Sequence, residues 1–159
     1  MSLLTWLEST SLAVWVHESP SIWAQPTVMT FHTMGMGILA GACWVLDLRL
    51  LGVGKTVPLA AFRWVFRAVG ISLVVNILTG LLLFIARATL WGTAFPFLLK
   101  ILLVIASVST LVPIRSYIEQ CDDAQVDVSS RMRLLAVLSI AAWAAAITSG
   151  RLLAYTVAG

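Results

Sequence analysis

The sequence predicts an all-α polytopic membrane protein, an up-down four-helix transmembrane bundle preceded by an interfacial helix. Three observations lead there. Of 159 residues, 60% are apolar and only 11% are charged, against roughly 25% charged in soluble domains. Four apolar stretches, at about 26–46, 66–85, 97–112 and 134–157, each approach the length that crosses a hydrocarbon core of about 30 Å. The ten-residue alternation of a transmembrane barrel is absent. In lipid every backbone N–H and C=O must be satisfied within its own segment, which selects helices. Residues 1–159 read as one domain.

Residues 1–19, MSLLTWLESTSLAVWVHES, lack a basic leader and are interrupted by Glu8, so they do not read as a cleaved signal. Leu3, Leu7 and Val14 fall on one side of a helical wheel, with Thr5, Glu8 and Ser9 largely opposite. Thr5 and Glu8 have capping-box spacing. With Trp15 and Trp23 they predict one amphipathic helix lying at headgroup level. Ser19, Pro20 and Ser21 turn the chain into the first span, which ends near Asp47 and Arg49, both read as interface charges.

Gly52, Gly54 and Pro58 punctuate the next loop. Arg63 and Arg67 precede the second span and Arg87 follows it. Trp91, Gly92 and Pro96 mark another turn. The third span is expected to bend or end at Pro113. Residues 115–133 form the longest polar stretch and read as a solvated cytoplasmic loop or short surface helix.

Orientation follows from Lys and Arg. Seven of the ten (Arg49, Lys55, Arg63, Arg67, Arg115, Arg131 and Arg133) fall on one side, and three (Arg87, Lys100 and Arg151) on the other. Both termini are therefore expected outside the cytoplasm. The net charge of +3 is too small and scattered for a nucleic-acid footprint. Cys43 and Cys121 fall near the cytoplasmic side, where thiols stay reduced, and no disulfide is expected.

His32 is the one histidine inside an apolar segment, and such intramembrane groups are costly enough to mark function. Set in register at about 1.5 Å per residue, His32, Arg87, Lys100 and Arg151 all fall in the outer third of the membrane. Asn76, Gly80, Leu83 and Arg87 form a helical stripe, with Thr79 beside it, and Thr148, Arg151 and Tyr155 form another. The predicted site is a cationic outer-leaflet pocket of His32, Lys100 and Arg151, with Asn76, Thr79, Tyr155 and Arg87 around it. It would suit an anionic or carbonyl oxygen: a lipid phosphate, a quinone, a haem propionate or a small anion. The competing reading lets the three basic residues snorkel separately to headgroups. Gly35, Gly37 and Gly41 would let another helix approach the first span closely, and Gly37 with Gly41 matches GxxxG.

Bis-histidine haem b would need His17, the only other histidine, to fold over the bundle mouth, although a single-histidine site needs only His32. Met29, His32 and Met36 share a face with the soft ligands a Cu(I) path uses, or they simply fill packing gaps. No carboxylate pair, base-activated nucleophile, P-loop or HExxH motif supports catalysis.

WLESTSLAVWVHES, FHTMGMGILAGACWVLDLRLLG, TGLLLFIARA, FPFLLK and SGRLLAY together resemble a family of small, uncharacterised bacterial four-helix inner-membrane proteins. The resemblance runs nearly end to end. It implies the fold, the inner membrane, and interest in His32, Thr79, Gly80, Lys100, Gly150, Arg151 and Tyr155, but no established activity. More loosely, the chain is similar to copper-resistance and cytochrome-b-like membrane modules. Their pattern places a further histidine near the inner end of the third span, where LVPIRSYIEQC has none.

The leading expectation is a non-enzymatic membrane protein that binds a small anionic or redox-active ligand, alone or within a complex. The alternatives are an oligomeric permeation subunit for an anion or copper, and a purely structural subunit. The bilayer is the expected partner in every case, with other membrane subunits or further copies of the chain beside it.

Overall fold

A computed structural model describes residues 2–121 and 127–156. Among these the chain is helical throughout, without strands. The helices are α1 (Leu3–Glu8), α2 (Ser11–Glu18), α3 (Gln25–Leu50), α4 (Val65–Ile85), α5 (Ala88–Trp91), α6 (Phe95–Gln120) and α7 (Ser130–Thr156), with a 3-10 turn at Leu59–Phe62 before α4. Four segments are long and apolar enough to cross a membrane: Gln25–Leu50, Leu59–Ile85, Phe95–Gln120 and Ser130–Leu153. Residues 122–126 of the predicted polar loop, with Asp122 and Asp123, and Val157 of the fourth predicted span lie outside the described residues.

The amino-terminal segment is two helices, not one. Ser2 caps α1 and Thr10 caps α2 through side-chain oxygens that accept from Thr5 N and Ala13 N. The break falls where Ser9 Oγ donates to Trp6 O and Thr10 Oγ1 to Leu7 O, an alternative that hydroxyl side chains offer the backbone. Thr5 and Glu8 form no capping box. Both Glu8 carboxylate oxygens instead accept from Thr89, at 2.8–2.9 Å, joining α1 to α5.

The long helices pair as α3 with α4 and α6 with α7, and α3 also packs on α7. Between α4 and α6, Phe84 stacks on Phe97 at 5.1 Å, and the Arg115 guanidinium lies over the Phe66 ring at 5.8 Å. Pro113 does not end the third span: α6 continues to Gln120. Pro113 has no N–H to give Ser109 O, but the next two turns bury Ile114 and Ile118 completely, and that apolar burial outweighs one missing bond.

One end of the assembly holds the packed core: Leu39, Cys43, Leu46, Leu50, Leu59, Leu111, Ile114, Ile118, Ala136 and Trp143, among others. The outward faces stay apolar, with Ile71, Ile77, Leu81, Leu102, Ile105, Val112 and Leu138 all exposed. An aliphatic surface of that extent is a lipid-facing one. The packing glycine of α3 is Gly35, whose added Cβ would meet Asn76 Nδ2 at 3.0 Å, whereas Gly37 and Gly41 face open space. GxxxG therefore makes no contact here.

Asp47 and Arg49 are not interface charges exposed to solvent: their exposures are 0% and 5%. Arg49 turns back on the following loop, donating to Val57 O and Lys55 O. Asp47 faces Ser139 of α7 without reaching hydrogen-bonding geometry, and among the described residues the indole N–H groups of Trp44 and Trp143 are also unpartnered. A buried carboxyl without a donor destabilises the fold. Asp47→Asn, nearly equal in volume, should therefore leave the thermal midpoint in detergent unchanged or raise it. A loss above about 1 kcal/mol, the net worth of a typical hydrogen bond, would show that the carboxyl has a partner the chain does not supply.

Candidate functional site

Away from the packed core, three helices meet at His32. Its position two turns into α3 directs the imidazole at α4, where Gly80 leaves room: a Cβ there would lie 3.2 Å from His32 Cε1. Asn76, one turn earlier on α4 and buried, donates from Nδ2 to His32 O at 2.9 Å. His32 Nδ1 is 3.0 Å from Thr79 Oγ1, and Thr79 Oγ1 donates to Val75 O at 2.7 Å.

Lys100 comes from α6, one turn after Phe97, whose stack against Phe84 fixes that face of α6 toward α4. Its Nζ lies 3.4 Å from His32 Nε2. Its methylenes run along Gly150 of α7, where an added Cβ would touch Cδ, Cε and Nζ at 3.4 Å. The absence of a side chain at Gly150 thus gives the lysine its path.

Directionality follows from the donor inventory. An ammonium only donates, so His32 Nε2 must accept. The ring proton is then on Nδ1 and donates to Thr79 Oγ1, whose own hydrogen is committed to Val75 O. The relay runs Lys100, His32, Thr79, Val75. In the four long helices the acids are Asp47 and Glu119. Asp47 is fifteen residues from His32, about 22 Å along α3. Among the described residues Lys100 has no ion pair.

Of the predicted site residues, the structure brings together His32, Asn76, Thr79 and Lys100. Arg151 and Tyr155 do not join them: both are exposed, Tyr155 at 78%. Gly150 faces Lys100, and the next residue on a helix is rotated by about 100°, so Arg151 turns away. Arg87 is also elsewhere. It leaves helical geometry at φ −145°, ψ 44° and caps α5, which swings it into a cleft against α2.

Haem does not fit as a ligand of His32. Both ring nitrogens are engaged, Cε1 lies against α4 at Gly80, and His17 lines the separate cleft with Arg87. The Met29, His32, Met36 face does not gather either. Met29 is 42% exposed beside Pro20 and Gln25, while Met36 packs against the core. No cluster of three His, Cys, Asp or Glu side chains occurs among the described residues. Gly35 and Gly150 both stand out in the sequence, the first as a small residue for close helix approach and the second through the family resemblance, but that they face Asn76 and Lys100 shows only once the neighbours are in place.

Compared with protein-family models, curated proteins and solved structures, the chain matches none.

Thr79→Val keeps shape but removes the acceptor for His32 Nδ1–H. The unfolding free energy in detergent should fall by about 1–3 kcal/mol, the cost of orphaning a buried donor, and Thr79→Ser should restore most of it. Equal stability of the Val variant and the native chain would remove Thr79 from the relay.

Proposed function

We propose that this is a multi-pass bacterial inner-membrane protein, of the small four-helix family it resembles, that binds an acidic group through Lys100. Its four spans run up and down through the bilayer with both termini outside, and α1 and α2 lie at the outer interface. The Lys and Arg asymmetry supports that orientation, as do the exposed indoles of Trp6, Trp15 and Trp23. Contacts that pair His32 with Thr79 and Gly80, and Gly35 with Ser72 and Asn76, support opposite directions for α3 and α4.

One observation carries the binding reading: the Lys100 ammonium is held between α3, α6 and α7 by a neutral acceptor, with no acid beside it among the described residues. A charge in an apolar layer normally has a counter-charge. Here the ordered partner is an imidazole nitrogen, which orients the ammonium without neutralising it. The fitting ligand is a phosphate or carboxylate, carried by a membrane amphiphile or a small anion. Its charge would complete the site, and no reaction is implied.

The test is binding of phosphatidylglycerol and of inorganic phosphate to the detergent-purified protein, read by native mass spectrometry. Lys100→Met should weaken binding at least about tenfold, the worth of one charge-assisted bond, and Lys100→Arg should retain part of it. Equal binding by the native chain and the Met variant would mean that Lys100 only snorkels.

A further inference from the structure

The outer cleft between the amino-terminal helices and the α4–α5 junction is a second site, independent of Lys100. Its volume is about 420 Å³, and its polar walls are Glu8, His17, Glu18, Arg87 and Thr89. That is within the range of small-molecule sites, about 300–1,000 Å³. Ala13, Val14, Ala86 and Leu90 complete it with apolar surface.

The charges in this cleft are kept apart. Glu8 is committed to Thr89, with both oxygens accepting. Glu18 and Arg87 line the same space, yet among the described residues neither forms an ion pair. Arg87 is half-buried because the chain leaves the α4 helix at that residue, and Glu18 is exposed at the end of α2. A guanidinium and a carboxylate facing one cavity without closing on each other leave room for a ligand that carries both complementary charges.

We propose that this cleft binds a phosphate monoester or diester bearing a primary ammonium, the chemistry of a phosphoethanolamine group. Arg87 takes the phosphate through its planar fork, with His17 as an auxiliary donor, and Glu18 accepts from the ammonium. Glu8 remains on Thr89 and takes no part in binding. Val14 and Leu90 line the cleft, are exposed, and offer apolar surface to acyl chains. The same chemistry exists as an aminophospholipid headgroup and as a free amino-phosphate. A trimethylated ammonium cannot donate to Glu18, and a purely anionic headgroup leaves Glu18 opposed to it.

The experiment uses the full chain in detergent carrying Lys100→Met, which removes the other anion site. It is titrated with phosphatidylethanolamine, phosphatidylcholine and phosphatidylglycerol of identical acyl chains, and with soluble phosphoethanolamine, by native mass spectrometry. The ethanolamine lipid should bind about tenfold more tightly than either other lipid, one charge-assisted contact being worth that factor. Arg87→Gln and Glu18→Gln should each abolish the preference, and Arg87→Lys should keep part of it. Neither residue has an intramolecular ion partner among the described residues, and unchanged tryptophan fluorescence and elution volume will confirm folding.

Competition by soluble phosphoethanolamine supports headgroup recognition with a free amino-phosphate as a source. Preference among lipids without that competition supports it with the lipid as the source. Equal binding of all three lipids, or a preference that survives Arg87→Gln and Glu18→Gln, overturns the proposal.

Discussion

The imidazole of His32 joins three helices, α3, α4 and α6. It receives Lys100 from α6, gives to Thr79 on α4, and its own backbone carbonyl accepts from Asn76. In water each of these bonds would contribute little, because solvent competes for every partner. In a lipid-surrounded layer that competition is removed, and leaving a partner unmade is what destabilises the fold. The relay therefore fixes the relative rotation of α3, α4 and α6, and glycines at 35, 80 and 150 are the sequence's means of letting the three polar side chains reach one another.

The two ends of the molecule use different physics. Toward Leu50 and Ile118 the helices are held by buried aliphatic and aromatic side chains, with Trp143 at 0% exposure. Toward His32 and Lys100 they are held by hydrogen bonds and the Phe84–Phe97 stack. The packed end also holds orphaned polar atoms on Asp47, Ser139, Trp44 and Trp143, so apolar burial there outweighs incomplete hydrogen bonding. At the polar end the geometry is better satisfied and the charge is not. That imbalance, a lysine with an oriented but neutral partner, is the basis for reading the end as a binding site.

Much of the architecture was legible because a membrane span announces itself by composition alone. The four apolar runs became α3, α4, α6 and α7. Boundaries were less legible where local chemistry decides. Ser9 and Thr10 split the amino-terminal helix through their own hydroxyls, and Pro113 was overridden by the burial of Ile114 and Ile118. At the site, the spacing of Asn76, Thr79 and Gly80 pointed correctly to one face of α4. Arg151 and Tyr155 were missed in rotation, since Gly150 faces the lysine. Arg87 was missed because a helical stripe cannot foresee the break that redirects it. Asp47 looked like a terminal interface charge, and only the position of α7 shows that it is buried.

The ordering of protons around His32 is the central claim, and it is directly observable. Nitrogen-15 NMR of histidine-labelled protein carrying His17→Gln, so that a single imidazole remains, reports which ring nitrogen bears hydrogen. A protonated Nδ1 and a bare Nε2 are expected, with the Nε2 resonance shifting when Lys100 is replaced by Met. A proton fixed on Nε2, or a spectrum insensitive to Lys100, would contradict it.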